Sequence, residues 1–275
     1  MHFSRRKFLA ATGAAAVGRL MADPLGMPIE TQTWPIRDAL GKDFPGTLKQ
    51  IAGMGYKGIE MCSPPSYKEG FGALAGMSAA EMKKTIQAAG LRCESCHYQF
   101  KEMKENLDER IAFAIELGLK QMILSSFGLP NSATMADWAK AAGELNQIGE
   151  KIAKAGLQAG FHNHHGEFQK IDNQLIYDKL MAELDPKLVK MQFQVAVISI
   201  GYEAATYMKK YAGRFISMHL ADWSAETRKE AAVGSGSVDW KGLFAAAKTG
   251  GVKNYFVEMN LEFMKPSHDF LHGLE

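Results

Sequence analysis

The sequence predicts a single (β/α)8 barrel of the TIM type, and three observations carry that expectation. Eight short apolar runs long enough for strands recur along the chain. Helical patterns with apolar residues at spacings of three and four separate them. Glycine closes most of those helices just ahead of the next run, at Gly55, Gly90, Gly118, Gly156, Gly213 and Gly251, where a left-handed residue ends a helix at no steric cost. Strands alternating with helices pair in parallel through right-handed crossovers. Eight of them close most economically into a barrel, with an open doubly wound sheet as the alternative.

The chain opens on Ser4-Arg5-Arg6-Lys7-Phe8-Leu9, followed by a short, weakly apolar run over Ala10–Val17. This start resembles a twin-arginine export signal, so residues 1–22 are expected to be a removable address and 28–275 the catalytic domain. The apolar run is far short of the roughly 20 residues a membrane span needs. No membrane anchor is expected. The whole chain carries a net charge of +2, of which residues 1–22 supply four positive charges and no acids. Without them the remainder stands at −2, and so near neutrality no nucleic-acid partner is expected. An apolar content of 47% is ample for one large core.

The first strand begins near Ile29. It is followed by Thr33-Trp34-Pro35-Ile36-Arg37-Asp38 in place of a glycine-rich phosphate loop, which argues against a dinucleotide fold. A helix over Thr47–Gly53 leads to a strand near Lys57, then a helix over Ser78–Ala89 to a strand near Leu91. That third strand holds Cys93 and Cys96. In plain alternation positions i and i+3 face opposite ways, so packing thiols are expected rather than a chelating or disulfide pair. Helices over Leu107–Leu117, Met135–Ala155, Asn173–Leu184, Tyr202–Tyr211 and Trp240–Thr249 alternate with strands near Gln121, Leu157, Leu188, Phe215 and Asn254. Asp239 or Ser237 caps the helix at Trp240.

The densest chemistry is Gly160-Phe-His-Asn-His-His-Gly-Glu167, at the end of the fifth run. In a strand His162 and His164 share one face, and Phe161 and Asn163 take the other. A TIM barrel places its chemistry at the C-terminal strand ends. Those ends read Gln32 and Trp34, Glu60, His97, Ser125-Ser126, His162 to His164 with Glu167, Gln192 and Gln194, His219 with Asp222, and Glu258 with Asn260. Burying such groups without partners costs several kcal/mol each, so a purely structural barrel should not gather them on one rim.

Read together, Gln32-Thr-Trp-Pro-Ile-Arg37-Asp38, Gly55-Tyr-Lys-Gly-Ile-Glu60, Phe161-His-Asn-His164 with Glu167-Phe168, Met218-His219-Leu-Ala-Asp222, Val233-Gly234-Ser-Gly236-Ser-Val-Asp239-Trp240 and Tyr255-Phe-Val-Glu258 resemble the sugar phosphate isomerase/epimerase family of xylose-isomerase-like barrels. The resemblance runs from about residue 28 to the end. It implies one divalent ion held at strands five to eight, commonly by Glu, Asp, His and Glu. Carried over by position, the ligands are His162, Gln194, His219 and Glu258. This set has one negative charge where the common one has three. Mn²⁺ or Mg²⁺ is therefore held less tightly, while an imidazole-rich set suits zinc and its neighbours.

The resemblance also implies proton transfer next to a carbonyl. Glu258 is the one acid–base glutamate retained, with His162, His164 or His97 as its complement, since a neutral imidazole is a competent base near pH 7. Asn163 or Gln192 would steady charge developing on oxygen. Trp34 is expected as a pocket wall, and Glu60 and Glu167 as substrate or supporting contacts. Asp222 should orient a histidine or cap a helix. A small sugar or polyol isomerase or epimerase is the first expectation. A lyase or dehydratase on a 3-keto sugar or glycoside is the second, and a barrel that only binds sugar the third. The sequence leaves the sugar, the metal and the oligomeric state open.

Overall fold

A computed structural model describes residues 23–274, so the export signal expected over 1–22 lies outside the described residues. Eight parallel strands close into a barrel: β1 (Glu30–Gln32), β2 (Gly58–Cys62), β3 (Arg92–Gln99), β4 (Gln121–Ser126), β5 (Gln158–His162), β6 (Val189–Gln194), β7 (Phe215–Leu220) and β8 (Asn254–Val257). Each starts within one residue of its expected position. β8 pairs with β1 through Glu30 opposite Phe256, which completes the ring.

The helices form where capping chemistry and apolar spacing agree. Ser78 and Glu81 make a reciprocal capping box on the helix Ala79–Ala88, and Thr134 with Asp137 makes another on Met135–Lys154, satisfying amide donors that a helix start leaves free. Asp239 accepts from the Gly242 amide and caps Trp240–Gly250, as expected. All six closing glycines have positive φ. A further helix, Leu261–His272, packs at the C-terminal end with Pro266 inside it. Among the described residues no helix is long and apolar enough to cross a membrane.

Two local features shape the barrel interior. At Gly160 an added Cβ would lie 2.4 Å from Ile123 Cδ1, so the missing side chain on β5 makes room for the β4 isoleucine that fills the centre. On β3 the pairing shifts register between Ile59 and Glu60 of β2. This β-bulge inserts one residue and undoes simple alternation. Cys93 therefore falls beside Ile59 and Cys96 beside Met61, two positions on one face of β2. The expectation of opposite faces is corrected, although Cys62, Cys93 and Cys96 are all buried and unpaired.

Candidate active site

The polar residues gather at the C-terminal mouth, as the strand periodicity requires. Gln32, Glu60, His97, His162, Gln192, Gln194 and His219 come from six different strands and are all buried. Glu258 follows β8, where its amide donates to the Leu220 carbonyl. Its side chain keeps 16% exposure, enough to meet a ligand.

Glu60 is the hub. Its Oε1 accepts from Ser95 Oγ at 2.6 Å and Gln192 Nε2 at 2.8 Å. Its Oε2 accepts from Gln32 Nε2 at 3.0 Å and lies 2.5 Å from His219 Nε2. His97 Nε2 stands 3.2 Å from the same oxygen and 2.6 Å from Gln192 Oε1. The other nitrogen of His219, Nδ1, is 3.1 Å from Glu258 Oε2, and Gln194 also donates its amide N–H to Glu258. The result is a carboxylate–imidazole–carboxylate chain running from the barrel centre to the cleft.

Electrostatics follow from this geometry. Burial alone would strip the proton from His219, but the charges of Glu258 and Glu60 on its two nitrogens outweigh it and raise the pKa to about 9. Burial would likewise favour the neutral carboxyls, yet His97 and His219 hold Glu60 well below the usual range. His219 and the Gln194 side-chain amide lower the pKa of Glu258. His162 is pushed well down, first by burial and then by its histidine neighbours. It is a neutral imidazole at pH 7.

Around this floor lies a cavity of about 540 Å³, lined among others by Trp34, Tyr67, His97, His162, His164 and Glu258. Glu258 is the only carboxylate on its wall among the described residues. Trp34 is fixed by its own amide, which donates to Gln32 Oε1 at 2.6 Å, and by the Arg37 guanidinium 4.2 Å from its ring centre. Tyr67 meets Trp34 edge-on at 5.6 Å and bonds Ser125 Oγ across the cleft at 2.5 Å.

Not every expected residue faces this cavity. Glu60 and Gln192 sit beneath the floor and hold the histidines, with no surface on the cleft. Asn163, just past the end of β5, spends its side-chain oxygen on the Gln194 backbone N–H at 3.2 Å. Glu167 accepts from the His164 amide at 2.7 Å and lines a neighbouring cavity instead. Asp222 neither orients a histidine nor caps a helix. Its carboxylate accepts from the Gly234, Gly236 and Val238 amides and from Trp240 Nε1, tying down the loop after β7. Tyr67 escapes a reading of strand ends because it lies five residues beyond β2, in the long loop that the barrel sends over its catalytic face.

The donor set fits a divalent ion, with one change from the expected ligands. One nitrogen each from His97, His162 and His219 lies within 4.8 Å of the others. Among the described residues His162 Nδ1 is buried with no hydrogen-bond partner, which is costly for a polar atom unless something binds it. The 3.1 Å between His219 Nδ1 and Glu258 Oε2 suits two ligands on one ion, and Glu60 on Nε2 is the outer carboxylate such a histidine usually has. Gln194 departs from expectation. Its carboxamide oxygen accepts from the Ala196 amide at 3.1 Å, so the atom that would coordinate is engaged, and His97 takes its place in the cluster.

Comparison with known proteins agrees with this architecture. The profile of a family described as xylose isomerase-like TIM barrel matches residues 48–269. An inosose dehydratase of Geobacillus thermodenitrificans is 22% identical over 214 residues, 64% of this chain and 71% of that protein. A sugar phosphate isomerase/epimerase of Parabacteroides distasonis superposes with a TM-score of 0.75 at 24% identity, covering 97% of this chain and 99% of that one. The IolI protein, solved with a zinc atom, superposes at 0.62 with 13% identity over 90% and 94% of the two chains.

Proposed function

The chain belongs to the xylose isomerase-like TIM barrel family, and from that premise we propose that it is a lyase removing water from a keto-sugar or keto-polyol by proton abstraction next to the carbonyl. The observation that carries this reading is Glu258, the one carboxylate on the cavity wall among the described residues, held ionised by His219 and Gln194. A carboxylate held ionised at neutral pH is free to accept a proton. It takes the proton α to the carbonyl, and the electron pair moves onto the carbonyl oxygen to give an enolate. The enolate then expels the β-hydroxyl, and the proton on Glu258 passes to that oxygen, which leaves as water. Atoms balance without any co-reactant, and one base on one face suffices.

Epimerisation instead needs a second group on the far face. The family names among the solved neighbours keep that reading open, with His164 as the complement to Glu258. The relatives named as dehydratases favour elimination.

The residues that would hold a divalent ion are His162, His219 and Glu258, with His97 beside them. Bound there, such an ion would supply positive charge to the enolate oxygen. Their imidazole content suits zinc more than magnesium, as the set expected from the sequence already did. The Arg5-Arg6 start supports export as part of the same proposal.

The test is incubation of candidate keto-sugars and keto-polyols with the purified protein, followed by mass spectrometry. Loss of 18 mass units supports dehydration. A product that keeps the substrate's mass in H₂O, and in D₂O gains only the deuteron exchanged onto the α carbon, transfers the proposal to the isomerase reading, and a ligand that binds without reacting overturns both.

A further inference from the structure

We propose that the cleft accepts a substrate of two rings, the reacting ring over Glu258 and a second ring in an adjoining chamber between the loops after β4 and β5. The inference rests on reading the first cavity as a sugar site. That cavity, of about 540 Å³, already lies in the range of small-molecule sites. Against it stands a second cavity of about 380 Å³, with Leu129, Asn131, Trp138, Gln169 and Ile176 on its walls, and Ser126 and His164 belong to both. A ligand reaching past His164 therefore enters the second chamber directly.

The chamber has the chemistry of a ring site. Trp138 is held edge-on to Phe127 at 6.0 Å, and Phe127 stacks on Phe161 at 4.7 Å. The indole is thus fixed, through one aromatic column, to the residue that precedes His162 on β5. A preset aromatic wall binds a flat apolar face at little entropic cost. Leu129 and Ile176 extend that apolar surface, while Asn131 and Gln169, both exposed, set amide groups at the rim. A ring with an apolar face and a polar edge fits, which describes both a second sugar and an aryl group.

Titration calorimetry with the methyl, phenyl and 4-O-glucosyl forms of glucosides, galactosides and xylosides tests the proposal. In at least one series the wild-type protein should bind a ring-bearing form roughly tenfold more tightly than the methyl form, the scale of one aromatic contact. Trp138→Ala should reduce that ratio to near one. Asn131→Trp, at an exposed position that does not threaten folding, should do the same by filling the chamber. A preference for phenyl forms assigns an aryl group, and a preference for disaccharides a second sugar. Methyl forms that bind as well as ring-bearing ones overturn the second subsite while leaving the sugar site standing, and so does a preference that survives both substitutions. Failure of every compound to bind overturns the two-ring reading, while the keto-sugar incubation decides the first cavity independently.

Discussion

Glu60 Oε2 lies 2.5 Å from His219 Nε2, at a depth where neither residue has any exposure to solvent. A buried carboxylate is stable only with such partners, and Glu60 has five donors around its two oxygens. Its consequence for stability has a definite sign. In the metal-free protein His219 titrates near 9 in the folded state against 6.5 for the free group. A raised histidine contributes stability that is complete below pH 6.5 and is lost as pH rises through 9. Thermal melts in chelator should therefore decline across that window. Glu60→Gln should lower the melt at pH 6, since breaking a buried ion pair costs about 3–5 kcal/mol, and should flatten the decline. Parallel profiles for the two proteins would show that His219 is not held by Glu60.

Much of this arrangement is legible in the sequence, and the misses have physical causes. Strand starts were fixed by apolar runs that glycine terminates, a strictly local signal. The helix Leu261–His272 was hidden because Pro266 interrupts its pattern. The faces of Cys93 and Cys96 followed a bulge, and a bulge is set by pairing with β2 rather than by β3 itself. The place of His97 in the histidine cluster was not legible, because its partners, Glu60 and Gln192, are 37 and 95 residues away in sequence. Gln194 carried the right position for a ligand, but its side-chain oxygen is turned to the Ala196 amide by the short helix that follows β6.

Glu167 gives a second pH signal, at lower pH. Burial raises its pKa to about 7 from 4.5, against hydrogen bonds from backbone amides. A carboxyl raised in the folded state stabilises below pH 4.5, and that contribution is lost as pH rises through 7. Glu167→Gln still offers an oxygen to the His164 amide but never ionises. At pH 8 it should be more stable than the wild type by on the order of 2–3 kcal/mol, with the advantage gone at pH 4. Glu30, also raised to about 7 by burial, contributes to both proteins and cancels in the comparison. Urea denaturation at the two pH values decides, and equal stabilities at pH 8 would mean that Glu167 is ionised at no cost.

At Gln194 the expected ligand role can be restored by charge. Gln194→Asp exchanges an amide donor to Glu258 for a second carboxylate. Without a cation the two acids repel. With one they converge on it. Mn²⁺ affinity measured by titration calorimetry should therefore rise by at least tenfold, while the metal-free variant melts at a lower temperature than the wild type. Unchanged affinity would place the ion away from β6.

Export is tested through Arg5 and Arg6. Replacing both with lysine keeps the charge of the start while removing the pair. Cell fractionation should find the wild-type protein in the periplasm and the double variant retained in the cytoplasm. Equal periplasmic levels would refute the twin-arginine reading and leave the barrel chemistry untouched.

The chemistry itself turns on Glu258. Glu258→Gln preserves size and keeps an oxygen near His219, but it cannot accept a proton from carbon. Positioned proton transfer contributes about 10²–10⁴-fold in rate, so turnover should fall by that order with the circular dichroism spectrum unchanged. The variant also removes one of the two anions that keep His219 protonated, so loss of activity alone could reflect a disturbed histidine. Exchange separates the two causes. In D₂O the wild-type protein should wash deuterium into the carbon next to the carbonyl whenever the enolate forms faster than it expels its leaving group. Glu258→Asp, a base one methylene shorter, should keep a measurable part of that exchange, whereas Glu258→Gln should abolish it. A base acting on the substrate carbon explains that order, and a merely structural anion does not. A folded Glu258→Gln protein that turns over its substrate at the wild-type rate would remove Glu258 from the mechanism and leave His164 as the base.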